Sequence, residues 1–252
     1  MCLILIAWQA HLDYPLVVAA NRDEFFARPS AAAAFWADAP QVLAGRDLEA
    51  GGSWLGIGRE QRFAALTNYR EGGQMAINAR SRGALVADFL TGDARPSTYL
   101  EQVSARAADY NGFNLFVADG QHLAYYANRG DSPPRFLSPG IYGLSNHLLD
   151  TPWPKLAAAK ARFASALAEL PAQAAFFDLL ADQEIVADSH LPETGVPLAW
   201  ERILSAVFVR SEHYGTRAST LLTRHRNGVT TLRERSFDAG ALLSGEVCET
   251  FT

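Results

Sequence analysis

"MCLILIAWQAHLDYPLVVAANRDE" (residues 1–24) is the stretch on which the reading of this chain turns. Residues 2–8 form an unbroken apolar run of strand length, and residues 16–20 form a second. His11, Asp13 and Pro15 lie between them and mark a turn. Neither run alternates, so each reads as a strand buried on both faces, and together they predict an antiparallel hairpin. The return strand leads straight into the charged quartet Asn21-Arg22-Asp23-Glu24. At the head of the first strand stands Cys2, one of only two cysteines. A free cysteine often packs as a small hydrophobe, which is one reading of it. The other begins with removal of Met1. Residue 2 then carries a thiol and a free α-amine of ordinary pKa about 7.7–8.0. That amine can take the thiol proton and later return it to a leaving amine, so one residue supplies nucleophile and base.

Outward from the hairpin, glycines at 51, 52, 56 and 58 punctuate short strands in "QVLAGRD", "GGSWLGIG" (51–58) and "FAALTNYR" (63–70). Residues 81–92 predict a helix with Ser81 as its cap, Leu85, Phe89 and Leu90 on its apolar face and Gly92 as its stop. Residues 97–110 predict a second. Strands return at 113–119, 122–128 and 141–146. The clearest helix spans 151–170, with Thr151 to cap it, Pro152 in its first turn and Leu156, Phe163, Leu167 and Leu170 on one side. A further helix covers 173–182 and a loop covers 183–197. Strands at 205–210, 217–225 and 229–237 close the chain, the last two joined at Asn227-Gly228. This order of strands and helices argues α+β with antiparallel sheets. No repeat or linker divides it, so residues 1–252 read as a single domain.

Composition narrows the function. A net charge of −5 and a pI near 5.7 provide no basic field for nucleic acid. "GIGREQ" lacks the third glycine of a dinucleotide loop. The six histidines are scattered, and no CxxC, HExxH or CxxCH occurs, so no metal site is expected. No run reaches the roughly 18 apolar residues of a membrane span, and the first Lys or Arg is Arg22, too late for a secretory signal. Two cysteines at opposite ends of the chain suit a reducing compartment. The expectation is a soluble cytoplasmic protein.

Four other places can serve chemistry at Cys2. Arg22 and Asp23 end the strand that pairs with it, where their charges can hold a thiolate and orient an amine. Taken alone, they also suit a simple ion-pair cluster, and adjacent strand residues face opposite ways. Asn68 in "ALTNYR" and Asn146 in "GLSNHLLDTPW" stand at strand ends, fit either for oxyanion stabilisation or for turn formation. Arg217 in "YGTR" can anchor a carboxylate, tune the thiol or face solvent. Trp36, Trp54, Tyr69 and Trp153 lie near these blocks and can line an apolar pocket or fill a core.

The blocks "MCLILIAW", "VVAANRDEFFARPS", "GGSWLGIG", "ALTNYR", "NGFNLFVAD", "YGLSNHLLDTPWPK" and "YGTRAST", in this order from residue 2 to about 235, resemble the NRDE-motif family, also called the transport-and-Golgi-organisation type-two family. The resemblance implies an N-terminal-nucleophile hydrolase fold, a four-layer αββα sandwich. More distantly the chain is similar to the choloylglycine hydrolase and penicillin V acylase group. Their catalytic set falls by motif position on Cys2, Arg22, Asp23, Asn68, Asn146 and Arg217, although Arg and Asp are adjacent here and separated in the amidases. What the resemblance implies is twofold. One expectation is an N-terminal cysteine amidohydrolase acting on an amide or thioester of an apolar acyl compound, with no cofactor required. The other is a non-catalytic carrier in haem trafficking or acyl-lipid metabolism, with haem as a bound ligand and Cys2 as its thiolate ligand.

Overall fold

The computed structural model describes residues 2–58, 60–73, 76 and 78–252. The chain forms two compact units, each described by itself. The first takes in Met1–Ala27, Arg70–Gly73 and Pro139–Thr252, and the second Arg28–Tyr69 and Gln74–Ser138.

The strands of the first unit are β1 (Cys2–Trp8), β2 (Leu16–Phe25), β10 (Gly140–Leu144), β11 (Tyr214–Arg224), β12 (Thr230–Phe237) and β13 (Leu243–Phe251). They make one antiparallel sheet in the order β10-β1-β2-β11-β12-β13. Its helices are α3 (Pro154–Leu167), α4 (Ala174–Leu180) and α5 (Leu198–Ile203). β1 is buried along its whole length. Leu3, Leu5 and Ala7, with Val17 and Ala19 of β2, pack on Leu156, Phe163, Phe176 and Leu180 of α3 and α4. Ile4, Ile6 and Trp8 on the opposite face are at most 2% exposed, which is why the run cannot alternate. The quartet 21–24 lies inside β2, because the ladder to β1 and β11 continues through it. Backbone pairing there overrides the poor strand propensity of Asn and Asp.

α3 begins at Pro154, whose missing N–H costs nothing in a first turn. Thr151 does not cap it; its hydroxyl donates to the Leu148 carbonyl (2.7 Å). The run 205–210, expected as a strand, is irregular. Its backbone is claimed by other partners: Lys155 donates to the Leu204 and Ala206 carbonyls, Asn21 to that of Val207, and Phe208 N–H to Asp182. A ladder would need those same groups.

The second unit holds β3 (Ser30–Trp36), β4 (Ala39–Asp47), β5 (Leu55–Gly58), β6 (Phe63–Asn68), β7 (Phe113–Ala118), β8 (Leu123–Ala127) and β9 (Arg135–Leu137), neighbours in chain order. α1 (Gly83–Thr91) and α2 (Pro96–Ala105) cover one face of this sheet. Leu85, Phe89, Leu100 and Val103 meet Val42, Ala64, Leu115 and Val117 there. Gly52 permits a close crossing: a Cβ on it would stand 2.4 Å from the Gly83 carbonyl carbon. Arg62 is buried and caps α1, its guanidinium donating to the Phe89 carbonyl (2.8 and 3.0 Å) and to Ala94 (2.9 Å). Both units are thus antiparallel sheets with helices on one face, and the chain is α+β. Among the described residues no helix is long and apolar enough to cross a membrane.

Candidate functional site

Cys2 lies directly opposite Arg22 in the β1–β2 ladder. Directly opposed residues share a face, so Cys2, Arg22 and, two residues on, Glu24 point the same way. Arg22 Nη2 stands 3.6 Å from Glu24 Oε2. Asn21 and Asp23 point to the other face, the one that carries α3 and α4. Asn21 Nδ2 donates to Leu180 and Val207 (2.8 and 3.0 Å). Asp23 Oδ1 accepts from Thr216 Oγ1 (2.7 Å), and Tyr214 Oη donates to the Asp23 carbonyl (3.0 Å). The Arg-Asp adjacency is therefore resolved inside the strand: the guanidinium shares the thiol's face and the carboxylate sits behind it.

That carboxylate still acts on the thiol. Burial pushes the Cys2 thiol above its ordinary pKa, and Asp23 raises it further while Arg22 opposes. Burial likewise raises Asp23, against Lys155, the Thr216 hydrogen bond and Arg70, which lower it. Tyr214 is raised by burial and then by the nearby Asp23 carboxylate. The thiol is held protonated, so attack needs a base.

On the β10 side, Ser145 Oγ has two acceptors in reach of its one proton, the Cys2 carbonyl (3.4 Å) and Asn146 Oδ1 (3.3 Å). Asn146 is fully buried, and its carbonyl accepts from Arg70 N–H (2.6 Å). Arg217 is the extra residue of a bulge: Thr216 pairs with Asp23 and Ala218 with Arg22, leaving Arg217 between them. Its Nη1 donates to the carbonyls of Phe25 and Phe26 (3.1 and 3.3 Å), where burial, then Arg22, lower its pKa. A bulge re-aims a side chain that a regular ladder would send elsewhere. Five of the six expected residues thus lie in the first unit. Asn68 ends β6 in the second, half-buried and paired in the ladder with Phe113. Met1 lies outside the described residues.

The aromatic residues divide in the same way. Trp153 is half-buried in the first unit beneath the Arg70 guanidinium, 4.7 Å from its ring centre. Trp36 is core in the second unit, donating from Nε1 to the Ala44 carbonyl (3.1 Å). Trp54 and Tyr69 also belong there, buried and half-buried.

The sequence reading passed over the charged cluster behind Cys2. Arg70 Nη1 donates to Glu201 Oε2 (2.7 Å), an ion pair whose side chains are 1% and 4% exposed. Glu201 Oε1 accepts from the N–H and the hydroxyl of Thr194 (3.0 and 2.5 Å). Lys155 donates to the Leu204 carbonyl at 2.7 Å and to Ala206 at 3.4 Å. Burial, then Arg70, lower its pKa to about 8. A signal for Lys155 was present: 155, 159 and 163 fall on one stripe of α3, and Ala159 and Phe163 are apolar. Among the described residues no group of three or more His, Cys, Asp or Glu is placed to hold a metal ion. Cys2 and Cys248 are both free thiols, one buried and one exposed.

A sequence profile of the family Transport and Golgi organisation 2 matches residues 1–239. Among curated proteins, the chain is 46% identical over 241 residues to the Transport and Golgi organization protein 2 homolog of Bos taurus, covering 88% of this chain and 87% of that one. It is 42% identical to the Homo sapiens homolog, with 88% and 87% covered. Among solved structures, the Caenorhabditis elegans N-acylethanolamine-hydrolyzing acid amidase ortholog is similar at a TM-score of 0.47 and 12% identity, with 88% of this chain and 92% of that one covered. The C2A mutant of the conjugated bile acid hydrolase from Clostridium perfringens is similar at 0.47 and 9%, with 100% and 97% covered. On the profile and the curated relatives, the chain belongs to the Transport and Golgi organisation 2 family.

Proposed function

We propose that the protein is an N-terminal-nucleophile hydrolase that uses Cys2 on an amide or thioester of an apolar acyl compound, in the cytoplasm. The observation that carries this reading is the placement of Cys2: at the first residue of a buried strand, opposite Arg22 and backed by the buried Asp23. With Met1 removed, the α-amine takes the thiol proton and Sγ attacks the acyl carbonyl carbon. The leaving amine or thiol departs with that proton, and the acyl group is left as a thioester on Cys2. Water then attacks the thioester, releasing the carboxylic acid and restoring the thiol. The amine is needed because the buried thiol holds its own proton. Arg22 and the bulged Arg217 place positive charge toward the thiolate's side of the sheet. Asn146 is the oxyanion donor in the first unit, the role the motif resemblance also gives to Asn68.

A haem ligated by Cys2 fits this arrangement poorly. The ligand would have to be a thiolate, and Cys2 is 7% exposed with its thiol held protonated. Carriage of haem or of an acyl lipid is the competing outcome of the same test. An intact-mass measurement establishes loss of Met1, and a thiol-reactive acyl probe is then compared with haem titration on wild type and Cys2→Ala. The expected result is labelling with turnover in the processed wild type and none in Cys2→Ala. Retention of Met1 in the native protein, or Cys2-dependent haem binding without turnover, would overturn the reading.

A further inference from the structure

Thr216 lies opposite Asp23 in the β2–β11 ladder, just before the bulge at Arg217. A threonine hydroxyl carries one proton and two lone pairs. Here the proton goes to Asp23 Oδ1 (2.7 Å), and a lone pair accepts the Val209 N–H (2.9 Å). The amide occupies the accepting side of the oxygen and turns the proton toward the carboxylate. Thr216 N–H donates to the Val209 carbonyl in return (2.9 Å), so the backbone that orients the hydroxyl is itself fixed. From the same strand, Tyr214 Oη donates to the Asp23 carbonyl (3.0 Å). β11 therefore holds both the backbone and the side chain of Asp23. Thr216 is 1% exposed and Asp23 2%, which keeps water from competing for these bonds.

The bulge makes this arrangement possible. Side chains alternate along a regular strand, so residues 216 and 219, three apart, would face opposite ways. The extra residue at 217 resets the alternation. Both hydroxyls then meet β2 on one face: Ser219 Oγ donates to Asn21 Oδ1 (2.6 Å) as Thr216 does to Asp23. The two bonds serve different ends. Asn21 donates onward to the Leu180 and Val207 carbonyls, which is packing. Asp23 is the carboxylate behind the thiol. A hydroxyl that donates to a carboxylate favours its charged form. Burial raises Asp23, and among the described residues Lys155 of α3, the Thr216 bond and Arg70 lower it. Arg70 is paired in turn with Glu201 of α5. Cys2 of β1 and Tyr214 of β11 are in turn raised by the Asp23 charge.

We propose that Thr216 is a positioning residue for Cys2: it holds the Asp23 carboxylate in one orientation and in its charged form behind the strand that carries the thiol. The inference rests on the hydrolysis proposed above and adds a residue to it. In that reaction the α-amine takes the thiol proton and becomes an ammonium. A charged Asp23 favours that ammonium, and a neutral one does not. The same charge raises the resting thiol, so the proton stays on sulfur until the amine takes it.

The test joins a carboxyl titration to a rate. The intact protein is labelled with carbon-13 at its aspartate carboxyls, and Asp23 is assigned by the signal lost in Asp23→Asn. In Thr216→Val, which keeps the branched shape without the hydroxyl, the Asp23 midpoint is expected to move up by about one pH unit, the scale of one hydrogen bond to a charged group. Labelling of Cys2 by the acyl probe near neutral pH is expected to fall about tenfold in the same variant. Thr216→Ser keeps the hydroxyl and restores both. Ser219→Ala, which loses a hydroxyl bond from the same face of the same strand, moves neither. Thr216→Ala carries the same expectation if Thr216→Val fails to fold. An unmoved Asp23 midpoint, labelling at the wild-type rate without the hydroxyl, no recovery in Thr216→Ser, or an equal fall in Ser219→Ala would each overturn the role of Thr216. Absence of labelling in wild type overturns the hydrolysis instead, and the carboxyl titration, which needs no turnover, still decides whether Thr216 sets the charge on Asp23.

Discussion

The two units bury polar groups in different ways. In the second, Asn114 Nδ2 donates to Thr67 Oγ1 (3.1 Å), Asn114 Oδ1 accepts from Tyr125 Oη (2.6 Å), and Arg62 spends its donors on carbonyls that close a helix. These groups knit the backbone and keep their side chains occupied. In the first, Cys2, Asp23, Lys155, Arg70, Glu201 and Tyr214 are all buried, all ionisable and within electrostatic reach of one another. Burying several ionisable groups together is expensive, and it is the usual mark of a site that uses their charge. The difference gathers these six buried ionisable groups in the first unit, and it is visible without reference to any relative.

Three substitutions break or sharpen this contrast. The largest effect is expected from Arg70→Ala, which strands Glu201 as a buried charge. It should destabilise the fold by about 3–5 kcal/mol in chemical denaturation. Lys155→Met comes next and is read as a slope with pH. The folded ammonium titrates at about 8 and the unfolded one at 10.5. Between those values the unfolded chain binds more protons, so wild type gains stability as pH rises. Relative to Lys155→Met the gain is up to about 3 kcal/mol. A flat difference between pH 8 and 10.5 would show that Lys155 is not a buried charge. Asn114→Ala in the second unit should cost less, about 1–3 kcal/mol, for a buried hydroxyl left without its partner.

The hairpin at the head of the chain was legible because burial on both faces leaves an uninterrupted apolar run. α1, α2, α3 and α4 were legible because one apolar stripe meets one sheet. The strand end at residue 20 was misplaced, since a charged quartet reads as a boundary when its ladder partners in β11 are unknown. β3, β13 and α5 carried no clear pattern: β3 mixes exposed, half-buried and buried residues without alternation, β13 is mostly exposed, and α5 is a helix of six residues. At the candidate site, position in a motif drew attention to Cys2, Arg22, Asp23, Asn146 and Arg217. The bulge that re-aims Arg217 depends on pairing between residues 191 or more apart in sequence and leaves no local trace. Arg70 and Glu201 were missed for the same reason, being partners across 131 residues.

The irregular run from Leu204 to Val209 has a consequence for how this protein tolerates change in length. Connecting segments ordinarily accept an added or deleted residue, because their backbone looks to water. Here the carbonyls of Leu204, Ala206, Val207 and Val209 answer to particular donors: the first two to Lys155 from a helix, the third to Asn21 from a strand, and the last to Thr216 N–H from another strand. One inserted residue would offset every assignment beyond it and leave an amide and an ammonium in the core with nothing to donate to. Tolerance to insertion in this fold is set by who owns the backbone, and this irregular segment is among the least editable of the first unit.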